Sequence, residues 1–173
     1  MEQVTSPDSV IESILRLGLA ILLGAAIGIN RELLRKPAGL QTHSLVALGS
    51  ALIAIISVQL AESLDDESAV GRTIQGLVAG IGFIGGGVIM HRRDSQGVYG
   101  LTTAASIWVV AGMGTAVGLG LWRLAMVAVG MSLGILIVFG SIDHWLEKKN
   151  IRIDTGETPP APEERDSVPP ANR

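Results

Sequence analysis

Between Val10 and Ile142 the chain is one apolar block broken by short polar connectors. Each uninterrupted length is near the ~20 residues a helix needs to cross ~30 Å of hydrocarbon. The runs mix Leu, Ile, Val, Ala and Gly without the ten-residue alternation of a barrel strand. Lipid offers no partner to a bare amide or carbonyl, so these segments are predicted to be helices. The pattern places spans at 10–29, 44–61 and 73–90. The stretch from Leu101 to Ile142 would make a helix of ~63 Å, about twice the hydrocarbon thickness, so it must fold back. Gly118 and Gly120 mark that reversal and give spans at 101–119 and 122–142. Trp122 and Trp145 then lie ~35 Å apart along the last helix and suit two aromatic anchors at opposite interfaces. The expected architecture is all-α, a polytopic transmembrane bundle of about five spans with glycine-rich packing.

Composition sharpens this picture. Of 173 residues, 48% are hydrophobic and only 17% charged, the mean hydropathy is +0.47, and the charges gather in the connectors and the tail. With no cysteine, disulfides and thiolate metal sites are excluded. Glu2, Asp8 and Glu12 stand where a cleavable signal would be basic, so the first span is expected to be retained after a short N-terminal segment, 1–9. The tail, 146–173, is rich in Pro and charge, has little to bury, and is expected to be disordered. The net charge of -3 says less than its sidedness. Arg31, Arg35 and Lys36, then Arg92 and Arg93, then Lys148, Lys149 and Arg152 all fall on one side of a five-span chain. The acidic residues near the N-terminus and in the loop at Glu62 fall on the other, together with Arg72 and Arg123. Basic residues are retained in the cytoplasm, which places the N-terminus outside and the tail inside.

Six glycines, Gly76, Gly80, Gly82, Gly85, Gly86 and Gly87, crowd the third span. In a water-exposed helix each would cost ~1 kcal/mol relative to Ala, and in lipid close backbone approach between helices offsets that cost. Gly76 with Gly80 and Gly82 with Gly86 point in different directions, so the third span is expected to touch neighbours on two sides and to sit centrally. Gly24 with Gly28, Gly114 with Gly118, and Gly130 with Gly134 repeat the spacing. Gly80, Gly82 and Gly85 also match a dinucleotide-binding fingerprint in form, but without the strand, helix opening and acidic residue that it needs. A rarer alternative is a helix break at Gly85 to Gly87 that bares carbonyls to a solute.

Polar chemistry is sparse. His43, His91 and His144 sit apart at span ends, no His, Asp and Glu cluster has ligand spacing, and no nucleophile lies beside a base, so an enzyme is not expected. Magnesium takes oxygen ligands, usually with one or two carboxylates, and the span centres offer none. Glu12 and Arg16 are placed to pair one turn apart. Gln75, Thr102, Thr103 and Ser106 suit hydrogen bonds between helices, with a pore lining as the alternative. The carboxylates of Glu62, Asp65, Asp66 and Glu67 are read as solvated, with loose divalent binding as the alternative. No other metal or cofactor is expected. The basic connectors lack interleaved aromatics, so the lipid bilayer is the expected partner and nucleic acid is not. In the first connector Glu32 and Lys36 are helix neighbours, Pro37 and Gly39 suit a tight turn, and Thr42 or Ser44 can cap the second span.

At this connector the sequence becomes recognisable. GINRELLRKPAGLQTHSLVALGS resembles the first signature of the MgtC/SapB family of bacterial inner-membrane proteins. RTIQGLVAGIGFIGGGVIM and GVYGLTTAASIWVVAGMGTAVGLG resemble the second and third. The resemblance runs from about Arg16 to Trp145, within a single transmembrane domain at 10–145. It implies a multi-pass protein of the bacterial inner membrane tied to growth in low magnesium, either regulating other membrane proteins or transporting Mg2+ or another small solute. Carboxylate-poor spans favour the first, with other membrane proteins or a second copy of the chain as partners. By position the resemblance singles out Arg31, Glu32, Lys36, Pro37, Gly39, Thr42 and His43, then Arg72, Gly80, Gly82, Gly85, Gly87, Gly100, Thr102 and Thr103. Asn30 stands where the family usually has Glu, and Gln41 where it usually has Arg, so a charge pair is missing from the connector. Longer members carry a soluble C-terminal domain, and here a tail expected to be disordered follows the last span instead. A reporter fused after Lys149 is expected to be active in the cytoplasm, and activity only outside would refute the orientation.

Overall fold

A computed structural model describes residues 7–66, 68–90 and 99–148. These form five helices, α1 (Pro7–Leu33), α2 (Leu40–Leu64), α3 (Ser68–Met90), α4 (Leu101–Gly118) and α5 (Trp122–Lys148). All five are long and apolar enough to cross a membrane, and no strand occurs among the described residues. The chain is an all-α multi-pass membrane protein. Residues 1–6, Glu67, the connector with His91, Arg92 and Arg93, and the tail from residue 149 lie outside the described residues.

Several helix ends run past the hydropathy pattern because polar residues extend the helices, and α5 continues to Lys148 rather than residue 142, so residues 146–148 belong to it and not to the tail. α1 continues to Leu33 rather than residue 29, and α2 begins at Leu40 rather than residue 44, so Thr42 and Ser44 lie inside α2 and do not cap it. α3 starts at Ser68 because Asp66 caps it. The Asp66 carboxylate accepts from the Ser68 amide at 3.0 Å and the Ser68 hydroxyl at 2.6 Å, and its carbonyl accepts from the Ala69 amide at 3.1 Å. Gly120, at φ +84°, makes the reversal between α4 and α5.

The centre of the bundle is the triangle of α1, α2 and α4. α1 and α2 pack antiparallel, while α2 and α4 run parallel, with Gly114 against Ala47 and Gly118 against Ala51. Ala47 is wedged between two glycines. A Cβ on Gly114 would stand 2.3 Å from the Ala47 carbonyl oxygen, one on Gly24 2.9 Å from the Ala47 Cβ and 2.6 Å from the His43 oxygen, and one on Gly118 2.5 Å from the Ala51 oxygen. The obstacles are mostly backbone, so only hydrogen fits, and the helices approach as closely as lipid-embedded helices do where small residues meet. Around this seam pack Ala20, Leu23, Ile27, Val110, Met113 and Val117, and α5 joins through Ala125 and Val129. A smaller cluster, Ala38, Ile81, Ile107 and Ala111, ties α3 to α4.

The expectation of a central third span is overturned. α3 does touch two helices, α2 and α4, but 6% of its span is buried against 50% for α4. A Cβ on Gly76, Gly80, Gly82, Gly86 or Gly87 would meet nothing within 4 Å, and only Gly85 lies against a neighbour, Ala104 at 3.6 Å. Periodicity along α3 gave the glycine faces but not which helix would meet them, and within this chain α4 holds the centre. The helix also runs unbroken through Gly85, Gly86 and Gly87, so no carbonyls are bared there. Gly130 and Gly134 are likewise open.

Gly114→Ala is expected to lower stability by about 1–3 kcal/mol through overpacking against backbone. Gly82→Ala is expected to stay within about 0.5 kcal/mol of the parent. Thermal unfolding of the purified variants in one detergent checks both.

Candidate functional site at the junction of α1, α2 and α4

The connector of α1 and α2 meets the first turns of α4, and Arg31, Glu32, His43, Thr103 and Ser106 come together there. Arg31, in the last turn of α1, is 2% exposed and turns inward. Its Nη2 donates to Thr103 Oγ1 at 2.9 Å, and Thr103 is 1% exposed. The sequence groups Arg31 with the basic residues of the connector, and the structure instead buries it in the bundle. A helix that persists to Leu33 carries the guanidinium into the bundle, and a connector reading cannot show which way it points.

Glu32, on the exposed side of the same turn, reaches across the connector, where its Oε2 accepts from the Leu40 amide at 3.1 Å. That is the cap of α2, whose N-cap residue Gly39 supplies no side-chain bond. A carboxylate at a helix N-terminus also answers the positive end of the helix dipole. A Cβ on Gly39 would fall 1.6 Å from that Oε2, so a larger residue there would push the Glu32 carboxylate off the cap. The chain reverses at Arg35, which takes φ 51°.

His43 is fully buried. Its Nδ1 lies 2.9 Å from the Gly39 carbonyl, and because a carbonyl only accepts, Nδ1 carries a proton. Nε2 lies 3.0 Å from Ser106 Oγ, and that hydroxyl also lies 2.8 Å from the Thr103 carbonyl. The single Ser106 proton serves one of these acceptors at a time. Arg31 to Thr103 and His43 to Ser106 are two polar rungs, one from α1 and one from α2, onto neighbouring turns of α4. Next to them Asn30 holds a buried Oδ1 with no hydrogen-bond donor among the described residues.

The remaining candidates are placed elsewhere. Thr102 is exposed, Lys36 and Thr42 are half-buried and Pro37 is exposed on the connector, and Gln41 is exposed. Arg72 lies at the far end of the bundle, where it bonds Ser68 and, at 2.6 Å, Asp66. The Ser68 hydroxyl, followed by Arg72, holds the Asp66 carboxyl below the usual carboxylate range. Glu62 and Asp65 are exposed, and no three His, Cys, Asp or Glu among the described residues gather to hold a metal ion. At that same end Arg16 pairs with Glu12 and donates from Nη1 to the Gly118 carbonyl at 2.8 Å. Sequence reasoning paired Arg16 with Glu12 but missed this second contact, which places a cation on the negative end of α4.

The junction brings together a buried cation, hydroxyls and an imidazole without a buried carboxylate among the described residues. Such a set can hold helices in register and can accept hydrogen bonds, but it lacks the anionic oxygens that a divalent cation requires. Thr103→Val is expected to cost about 1.5–3 kcal/mol, the range for a hydrogen bond to a charged group. A double-mutant cycle with Arg31→Gln, read by thermal unfolding, should show that most of this cost is shared by the pair.

Comparison with known proteins follows the same residues. The profile of the MgtC family matches residues 17–145. The protein SrpB of Synechococcus elongatus is 40% identical over 164 residues, covering 87% of this chain and 90% of its own length. The putative magnesium transporter YhiD of Escherichia coli K12 is 40% identical over 146 residues, 82% of this chain and 67% of its own length. The protein MgtC of Salmonella typhimurium is 43% identical over 115 residues, 66% of this chain and 47% of its own length. The chain thus spans nearly all of the first relative and about half of the third. No solved structure matches it. With the profile running from α1 through most of α5, and with the junction residues inside it, this chain belongs to the MgtC family.

Proposed function

We propose that this chain is a bacterial inner-membrane protein that supports magnesium homeostasis and growth in low magnesium by regulating other membrane proteins. Its N-terminus faces outward and its C-terminus faces the cytoplasm. The magnesium link draws on family membership and on YhiD, whose name records a magnesium transporter. The orientation draws on the basic residues that share one side of the bundle.

The observation that carries the regulatory reading is that the buried polar residues of the described bundle, Arg31, His43, Thr103 and Ser106 among them, include no Asp or Glu. A divalent cation dehydrates reluctantly and needs carboxylate or dense oxygen ligation. A Mg2+ ion entering the bundle finds no buried carboxylate among the described residues. The lipid-facing surfaces of α3 and α5 remain open for contact with other helices. The role is non-enzymatic.

Transport is the second reading, and it rests on the name of YhiD and on the intramembrane hydroxyls. Liposomes holding a magnesium-sensitive dye separate the two. Flux no faster than in protein-free liposomes is expected, together with recovery of a membrane-protein partner from magnesium-starved cells. Mg2+ entry that is abolished by Thr102→Val or Gly85→Leu would replace the regulatory reading with transport.

A further inference from the structure

We propose that the groove between α2 and α3 is a self-association surface that seats α3 of a second copy of this chain, the two α3 helices crossing at Gly76 and Gly80. The groove encloses about 590 Å³ and is lined by Gly49, Ser50, Ile53, Gly76, Gly80 and Ile84 among others. Along its α3 wall, Cβ atoms on Gly76 and Gly80 would meet nothing within 4 Å. The spacing that brings helices together inside this bundle is therefore left open at its surface.

Ser50 is the second observation. It lines the groove and is 5% exposed, yet its hydroxyl has no hydrogen-bond partner among the described residues. Ser57, Ser132 and Ser141, by contrast, donate to carbonyls of their own helices at 2.7 Å. Measured along the helices from the turn that joins α2 to α3, Ser50 lies about 21 Å away and Gly80 about 18 Å away, so the hydroxyl stands at the depth of the glycine pair. A lipid chain can fill the groove but has neither donor nor acceptor. A second α3 can present backbone carbonyls, because its glycines let the main chain approach. Since each copy supplies both the glycine ridge and the hydroxyl, the contact closes with two-fold symmetry.

Charge at the rim fits the same occupant. Arg72, with its side chain 64% exposed, lies one turn before Gly76 on α3. Glu62 and Asp65, exposed at the tip of the same hairpin, form no ion pair among the described residues. In a two-fold pair the arginine of one copy approaches the carboxylates of the other. The inference stands on the groove and its rim, and is independent of whether the chain regulates or transports.

The test uses single cysteines, which are unambiguous because the chain has none of its own. Thr73→Cys and Ile84→Cys sit on the groove face, and Val78→Cys sits about 160° around the helix from Gly80. After mild oxidation of the full chain in native membranes, the first two are expected to form disulfide dimers and the third is not. In the Ile84→Cys background, Gly80→Leu should lower the dimer yield about tenfold and Ser50→Ala about threefold, the latter matching a typical intramembrane hydrogen bond. Thermal unfolding checks that Gly80→Leu still folds, and if it does not, the Ser50→Ala result decides. Equal cross-linking at Val78, yields insensitive to both substitutions, or a monomeric mass in nanodiscs at every protein-to-lipid ratio would overturn the proposal.

Discussion

Inside hydrocarbon a polar atom must find its partner within protein, and that constraint organises this fold more than apolar attraction does, since lipid tails are as apolar as the helices they surround. Backbone groups meet it by forming helices. Side chains meet it at the two ends of α4, where Arg31, Glu32 and His43 at one end and Arg16 at the other bond to hydroxyls, an amide or a carbonyl. Between the ends, contact is made by hydrogen atoms on glycine against backbone, at Gly24, Gly114 and Gly118. The result is a three-helix centre, fixed by short polar contacts at each end and by steric fit along its middle, with α3 and α5 laid against it.

Much of this was legible in the sequence, and the exceptions share a cause. Span number, the reversal at Gly118 and Gly120, and the Glu12 and Arg16 pair follow from patterns within a few residues along the chain. The four-residue glycine spacing marks close packing at Gly24, Gly28, Gly114 and Gly118 but not at Gly76, Gly80, Gly82, Gly86, Gly130 or Gly134, which meet no neighbour among the described residues. What failed was partner choice. Six glycines made α3 look central, yet α4, with fewer, is the buried helix, because burial depends on which faces four other helices present. The cap of α2 was sought in Thr42 or Ser44 and comes instead from Glu32, a residue of the preceding helix. A one-dimensional pattern shows the spacing of a face but not what stands opposite it.

The buried guanidinium changes the electrostatic picture without reversing the functional one. Among the described residues the buried charged side chain is Arg31, at one end of the bundle, where it bonds Thr103. The hydrogen bonds of Arg31 and His43 therefore serve assembly, joining α1 and α2 to α4.

The two arginines of α1 also set what the bundle can do mechanically. Arg16 and Arg31 grip α4 near its opposite ends, at Gly118 and Thr103. A piston stroke of α1 by one helical turn, ~5.4 Å, would break both grips at once while dragging Gly24 across the α2 backbone. Any signal that this protein passes through the membrane must therefore leave that strut in place and travel by tilting or swivelling the two outer helices about it.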